Sequence, residues 1–349
     1  MISQNKREKI ALEIIRTLFN RFNSFPQDSS RNRNAPFHEA FLKAFSNKFN
    51  SNVSDIPYFI SLSSWLHGLN TTLGQSFFEK IAHILSNGEK REYTTGKYGS
   101  LKISKTQKGN ANSIITKLSN GVSIPNLVRE NSQIFITDES DLVNAIDFSA
   151  DLFFNDGDEI VAIELKTVKP NSGEMRGEKQ KILEGKAALY RKFPDKHIEF
   201  YLGFPFDPTH DPNDPTGYDK IRFMKSCINM NKYFAESEIK IASELWDFLS
   251  GDKNTMEQLL EMINKISTIE FMENYKFLES EENRTFQKYS ELLQKWYLYS
   301  EKELIDKDGV IKEKIKFDTR AKRIYNQRSF KNGKYDFDRY KFLKNMIQK

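Results

Sequence analysis

Three observations predict an α/β protein with a mixed central sheet flanked by helices and a helical C-terminal extension. Two runs enriched in apolar residues, 150–154 and 160–165, flank Asn155-Asp156-Gly157-Asp158, and Asp-Gly tolerates the backbone angles of a tight hairpin turn. A segment with helical periodicity then runs to Phe193 and leads into the strand-like HIEFYLGF at 197–204; strand, crossover helix and strand in that order make a parallel pair beside the hairpin. From residue 255 to 304 apolar positions recur at helical spacing without a sustained repeat, which reads as a helical appendage.

The elements follow in order. Ile10, Ile14, Leu18 and Phe22, four apart, predict an amphipathic helix over 6–22. The turn-rich stretch 25–36 carries Arg31 and Arg33 and reads as a surface loop. His38 flanks the helically spaced Phe37, Phe41 and Phe45. In residues 61–85, Thr71 or Thr72 is a candidate cap for a helix with apolar Leu73, Phe77, Phe78, Ile81 and Ile84; His67 and His83 read as core or rim residues. The polar segment 88–112 predicts a strand or loop carrying Lys97, Lys102, Lys105 and Lys108, Ser113–Leu118 a short helix, and Gln133–Thr137 a short strand. Asp207–Pro215 is a proline-rich excursion, 221–246 gives short strands before a closing helix, and Gly251–Asn254 is the best boundary. The chain thus divides into an N-terminal helical segment (1–60), a core (61–252) and a helical extension with a basic tail (253–349).

Composition narrows the function classes. Hydrophobic residues make up 38% and aromatics 13% of 349 residues, a globular content. The single Cys227 excludes an internal disulfide and a cysteine-built zinc site. No apolar window is long enough for a membrane span and the N-terminus has no signal-like apolar core, so a cytoplasmic location without membrane contact is expected. The net charge of +5 is concentrated: residues 311–349 hold 13 Lys and Arg against 4 Asp and Glu. Aromatics interleave with them, the mix used where phosphates and bases are both contacted.

The chemistry is expected in the hairpin. Centring the turn on Asp156-Gly157 sets Asp151 opposite Ala162 and diagonal to Glu164. Alternation then gathers Asp151, Glu164 and Lys166 on one face, with Ala150, Leu152, Phe154, Ile163 and Leu165 on the other. Two carboxylates favour a hard cation with oxygen ligands, Mg²⁺ above all, and a neighbouring ammonium can polarise an attacking water and offset charge on a phosphorane-like transition state. The alternative for this trio is a salt-bridged strand face. Of two further Glu-x-Lys triplets, Glu184-Gly185-Lys186 falls in a segment with helical periodicity, where i and i+2 do not share a face, and Glu238-Ile239-Lys240 has a strand-like neighbourhood but no acid-bearing hairpin partner upstream.

Asp151, twelve residues, then Glu164-x-Lys166 resembles the catalytic signature of the PD-(D/E)XK nuclease superfamily, with Ala150 where the superfamily has Pro. The stretches PFHEAFLKAF, TTLGQSFFEKIAHIL, ISKTQ, SADLFF, IELKTVKPN, YLGFPFDP and SELWDFLSGD together resemble the TdeIII-type family of type II restriction endonucleases over about residues 36–260. The resemblance implies a PD-(D/E)XK restriction-endonuclease-like core that hydrolyses double-stranded DNA at a short palindrome, with interrupted G·C sites of the GGNCC type as the family's targets. It implies Asp151, Glu164 and Glu79 as metal-binding acids, Leu165 counted with the ligands, and Lys166 as the water-positioning lysine. Mg²⁺ is the expected cofactor, Mn²⁺ a substitute, and Ca²⁺ an ion that supports binding without cleavage. DNA contacts are expected from Lys105 and Gln107, from Lys169, Asn171, Arg176, Lys179 and Lys181 just past the catalytic strand, and from Arg320, Lys322 and Arg323 in the tail. A symmetric target implies a two-fold homodimer, and a companion methyltransferase protecting the same site. The rival readings are a repair or junction-resolving nuclease and a non-catalytic DNA-binding protein on a nuclease scaffold.

Overall fold

The computed structural model describes residues 1–27, 38, 40, 42, 56–167 and 172–348. Arg31, Arg33, Phe37, Phe41, Phe45, Lys169 and Asn171 lie outside the described residues. The chain forms two compact units, Met1–Ile2 with Phe78–Leu260, and Ser3–Phe77 with Glu261–Lys349. Residues 61–77 therefore group with the chain's two ends, and 253–260 with the central unit. The second unit opens with α1 (Gln4–Asn23) and α2 (Ile56–Thr72). Thr71 and Thr72 do not cap a new helix. Their hydroxyls donate back to the carbonyls of His67 (3.0 Å) and Gly68 (2.8 Å), and the helix continues through a π-helical turn, Leu73–Phe77.

The central unit begins with α3 (Phe78–Ser86), followed by β1 (Glu89–Tyr93), β2 (Lys102–Ser104), α4 (Lys105–Ser119), α5 (Leu127–Ile134), β3 (Leu142–Asn144), β4 (Phe148–Asp156) and β5 (Glu159–Leu165). Next come α6 (Ser172–Lys192), β6 (His197–Phe204), α7 (Lys220–Ser226), α8 (Met230–Tyr233), β7 (Ile239–Ile241) and α9 (Ser243–Ser250). The expected strand at Gln133–Thr137 is the end of α5 and its exit, and the strands expected from 221 are α7, α8 and the short β7. α4 begins at Lys105, eight residues before the short helix expected there. Ser104 caps it: its hydroxyl accepts from the Gln107 amide N–H, and the Gln107 side chain accepts from Ser104 N–H.

β1-β4-β5-β6-β7 form one sheet. The β1–β4 and β4–β5 pairs are antiparallel, and β5–β6 and β6–β7 are parallel, so the predicted mixed sheet with its hairpin and crossover helix is present. Gly185 lets α6 lie close on one face, since a Cβ there would stand 3.2 Å from the Phe200 ring and 3.5 Å from that of Phe148. Gly203 does the same on the opposite face, where a Cβ would come within 2.9 Å of Ile163 and Leu165 and 3.2 Å of Leu245 in α9. With helices on both faces, β5 is buried from Ile160 to Leu165. A hairpin with one oily face and one open polar face would not be buried in that way.

In the second unit, α1 buries Ile10, Ala11, Ile14 and Ile15, as its periodicity predicts. Glu8 accepts from the Ser300 N–H and hydroxyl, each at 2.6 Å. The basic tail folds: Leu304, Ile311, Ile315, Ala321 and Leu343 make a small core. Several of its aromatics face inward, Phe330 being buried and Tyr335 donating to the buried Glu301 at 3.0 Å. Phe317 remains exposed. Among the described residues no helix is long and apolar enough to cross a membrane.

Candidate active site

The hairpin turn is Gly157-Asp158, with Gly157 at φ +57°, not Asp156-Gly157. The register is Asp156↔Glu159 through Leu152↔Ile163, and extended by one step it sets Asp151 opposite Glu164, not Ala162. Partners move by two positions, which preserves the side-chain alternation, so the acids still meet. Beyond this pair the strands are tied by Leu165 N–H, which donates to Asp151 Oδ2 at 3.0 Å. The ring of His83 in α3 donates from Nε2 to the Asp151 carbonyl at 2.7 Å. His83 thus fixes the strand from behind.

Around Asp151 and Glu164 stand three lysines. Lys90 of β1 lies 2.9 Å from Asp151 Oδ1 and 3.4 Å from Glu79 Oε1, so the helical acid expected at the site is there, joined to Asp151 through an ammonium. Lys166 Nζ is 3.4 Å from Glu164, 3.3 Å from Glu174 and 3.0 Å from Glu178. Lys181 Nζ is 3.2 Å from Glu164 Oε1 and 2.7 Å from Glu178 Oε2. Glu178, Glu174 and Lys90 escaped sequence reasoning: on a helix or an edge strand, charge is ordinarily solvent-facing, and no local signal marks these three.

Burial raises the pKa of Glu164, with Asp151 adding to the rise and Lys181 and Lys166 opposing it. Glu79 is raised for the same first reason, and Asp151 pushes it further against Lys90. Burial works against the Lys166 ammonium, yet Glu164 and Glu178 outweigh it and lift its pKa. These carboxylates thus favour the charged form of Lys166. Among the described residues no three His, Cys, Asp or Glu side chains stand close enough together to hold a metal ion as they are. The ammonium groups lie between the acids. Two buried oxygens of the cluster have no hydrogen-bond partner, Glu164 Oε2 and Glu178 Oε2; the second lies 2.7 Å from Lys181 Nζ, whereas both ion pairs of Glu164 fall on Oε1, and a buried oxygen left so is costly unless something cationic uses it. A hard cation therefore fits the donor chemistry, which consists of carboxylate oxygens. Two adjoining clefts open beside the lysines. One, of about 440 Å³, is lined by Lys97, Asp147, Ser149 and Lys181, and the other, of about 510 Å³, by Lys90, Lys97 and Tyr98.

The expected DNA contacts separate into groups. Gln107 is fully buried and donates to the carbonyls of Ile134 and Ile136, and Lys179 is fully buried between Glu130 (2.5 Å) and Glu238 (2.6 Å). Neither can reach DNA as it stands; both serve the fold. Lys181 belongs to the acid cluster. Lys105, paired with Asp141 at 2.7 Å, and Arg176 are exposed on the central unit, and Arg320, Lys322 and Arg323 are exposed on the helix Thr319–Tyr325 of the other unit. The two decoy triplets are structural: Glu184 accepts from Ile146 N–H at 2.8 Å, and Glu238 holds Lys179.

The family model described as "Type II restriction endonuclease, HinfI" matches residues 2–267. The chain is also 42% identical, over 362 aligned positions, to the type II restriction enzyme MjaII of Methanocaldococcus jannaschii; the match takes in 97% of this chain and 96% of that protein. No solved structure matches. The type II restriction class expected from the motifs is confirmed, with the HinfI model, not a TdeIII one, as the match. This chain belongs to the HinfI family of type II restriction endonucleases.

Proposed function

We propose that Asp151, Glu164, Lys166 and Glu79 form the cleavage centre, on the PD-(D/E)XK plan, of an enzyme that cuts double-stranded DNA at a short palindrome. The observation that carries this reading is the buried, unpartnered Glu164 Oε2 beside a lysine that carboxylates keep charged. Asp151, Glu164 and Glu79 would hold a divalent ion, Mg²⁺ by preference, with the carbonyl of Leu165 as its backbone donor. The bound ion supplies charge for the phosphate oxygens and acidifies water. Lys166 orients the attacking water and offsets the negative charge that grows on the phosphorus-bound oxygens. Burial between α6 and α9 keeps bulk water from the strand that carries Glu164, which strengthens both effects.

A palindrome presents the same bond twice, so a two-fold homodimer, one site per strand, is the matching assembly. A companion methyltransferase on the same sequence and a cytoplasmic location belong to this reading. Purified protein with Mg²⁺ should cut plasmid and phage DNA into discrete fragments whose ends report the target. EDTA should abolish cutting, Mn²⁺ should replace Mg²⁺, and Ca²⁺ should support binding alone. Lys166→Ala should lower single-turnover cleavage on the order of a hundred- to a thousandfold while DNA binding in Ca²⁺ persists; full activity of that variant would overturn the assignment. Glu79→Gln should slow cleavage less.

A further inference from the structure

We propose that Lys90 is the resident cation of the metal-free site, and that on metal binding it leaves Glu79 and Asp151 for the adjoining cleft and there binds a phosphate of the DNA. The proposal rests on the reading of Glu79 and Asp151 as metal ligands.

Lys90 bridges the two acids, with Nζ 2.9 Å from Asp151 Oδ1 and 3.4 and 3.5 Å from the two Glu79 oxygens. Its placement comes from an irregularity in the sheet. Glu89 pairs with Phe153 and Arg91 with Ala150, so one β1 residue, Lys90, stands against two β4 residues, Asp151 and Leu152. Such a bulge re-aims a side chain, and here it brings Lys90 to the carboxylates. Among the described residues β1 is the sheet edge, so one side of Lys90's backbone faces no further strand of the sheet. The Lys90 side chain is 38% exposed, against 17% for Glu79 and 13% for Asp151. It covers more deeply set acids from outside.

Charge argues that the bridge is temporary. One ammonium serves two carboxylates, while the nearby Glu164 Oε2 has no partner at all. A divalent ion matches that anionic set better than a single positive charge. The flexible four-carbon stem of lysine also has somewhere to go: Lys90 lines the cleft of about 510 Å³ with Glu92, Gly96, Lys97 and Tyr98. Lys97 gives that cleft a second cation. An extended anion passing the acids would meet both.

The test titrates Ca²⁺, by calorimetry and without DNA, into the full chain and its Asp151→Asn, Lys90→Met and Lys90→Gln variants. Asp151→Asn should abolish tight Ca²⁺ binding. Both Lys90 variants should bind Ca²⁺ on the order of tenfold more tightly, because no ammonium has to be displaced; the glutamine variant serves where the methionine variant melts early. DNA binding measured against salt should then lose about 0.9 from its log–log slope in Lys90→Met with Ca²⁺, one phosphate contact, and change little without Ca²⁺. If Asp151→Asn loses Ca²⁺ while the Lys90 variants bind it no more tightly, Lys90 is a permanent tie and the proposal is overturned. An unchanged slope in Ca²⁺ overturns the move to the cleft. If Asp151→Asn keeps its Ca²⁺ affinity, the metal assignment itself fails and the proposal with it.

Discussion

Lys179 and Lys181 stand two residues apart on α6, yet each serves a different ion cluster. Lys179 points into the unit, fully enclosed, and meets Glu130 at 2.5 Å and Glu238 at 2.6 Å under the ring of Phe234. Lys181 is 17% exposed and shares Glu164 and Glu178 with Lys166, close to a carboxylate oxygen that nothing satisfies. The closed cluster has every member held by near neighbours, and it lies too deep to meet a ligand. The open cluster has more anionic groups than it can satisfy, and it borders a cleft. Enclosure with complete pairing marks a structural lock; partial exposure with an orphan oxygen marks a site prepared for something absent from the chain.

The largest effect should come from breaking the lock. Lys179→Met strands two buried carboxylates, and removing one partner of a buried ion set costs about 3–5 kcal/mol. Urea unfolding should register that loss, whereas Lys181→Met should change stability by less than about 1 kcal/mol and show itself in slower cleavage. Equal losses from the two variants would erase the distinction between the clusters.

Lys186 offers a sharper test of the closed side. It is buried about two helical turns from Lys179, and its ammonium donates to the Asn131 side-chain oxygen at 3.2 Å. Burial lowers its pKa from 10.5 to about 8, with Glu238 opposing. Below pH 8 it is charged in both folded and unfolded chains and the folded state bears the full penalty. Between pH 8 and 10.5 the folded state gives up its proton first, so stability attributable to Lys186 rises with pH across that window. Lys186→Met should therefore be more stable than the parent at pH 7, by up to about 3 kcal/mol at some 1.4 kcal/mol per pKa unit. The gap should close as urea melts are repeated toward pH 10.5. A gap that is constant with pH would show that burial does not shift the Lys186 pKa.

The same contrast explains what could be read from the sequence. The hairpin was legible because Asp-Gly between two apolar runs is a local signal, and the shared face of Asp151 and Glu164 survived a misplaced turn because a two-position slip leaves parity intact. The crossover helix was legible for its periodicity. Its charges were not: Lys179 looks like its neighbours until Glu238, 59 residues on, folds against it. Lys90 was hidden because a bulge has no sequence mark of its own. α4 was hidden by its polar first turn, although Ser104-Lys105-Thr106-Gln107 has the spacing of a capping box.

That capping box yields a smaller prediction. Gln107→Ala removes the side chain that accepts from Ser104 N–H and donates to Ile134 and Ile136, and buried groups left unsatisfied cost about 1–3 kcal/mol. Stability should drop by that amount in a thermal melt while DNA affinity per folded molecule stays the same. A selective loss of DNA affinity with unchanged melting would restore Gln107 to the DNA interface.

Arg176 should give the smallest effect on the fold and a measurable one on DNA. It is exposed on α6, two residues from Glu174 and two from Glu178, both of which hold Lys166, so it points away from the face that carries them and meets DNA only where the duplex reaches round the helix. Among the described residues no buried group is paired with its charge, and Arg176→Ala should shift stability by less than about 0.5 kcal/mol, as exposed substitutions do. If its guanidinium meets one phosphate, binding in Ca²⁺ should weaken alike for specific and unrelated DNA, and the salt slope should fall by about 0.9. A loss confined to the specific site would make Arg176 a reader of bases. An unchanged slope would return it to the solvated face of the helix and draw the edge of the DNA footprint inside it.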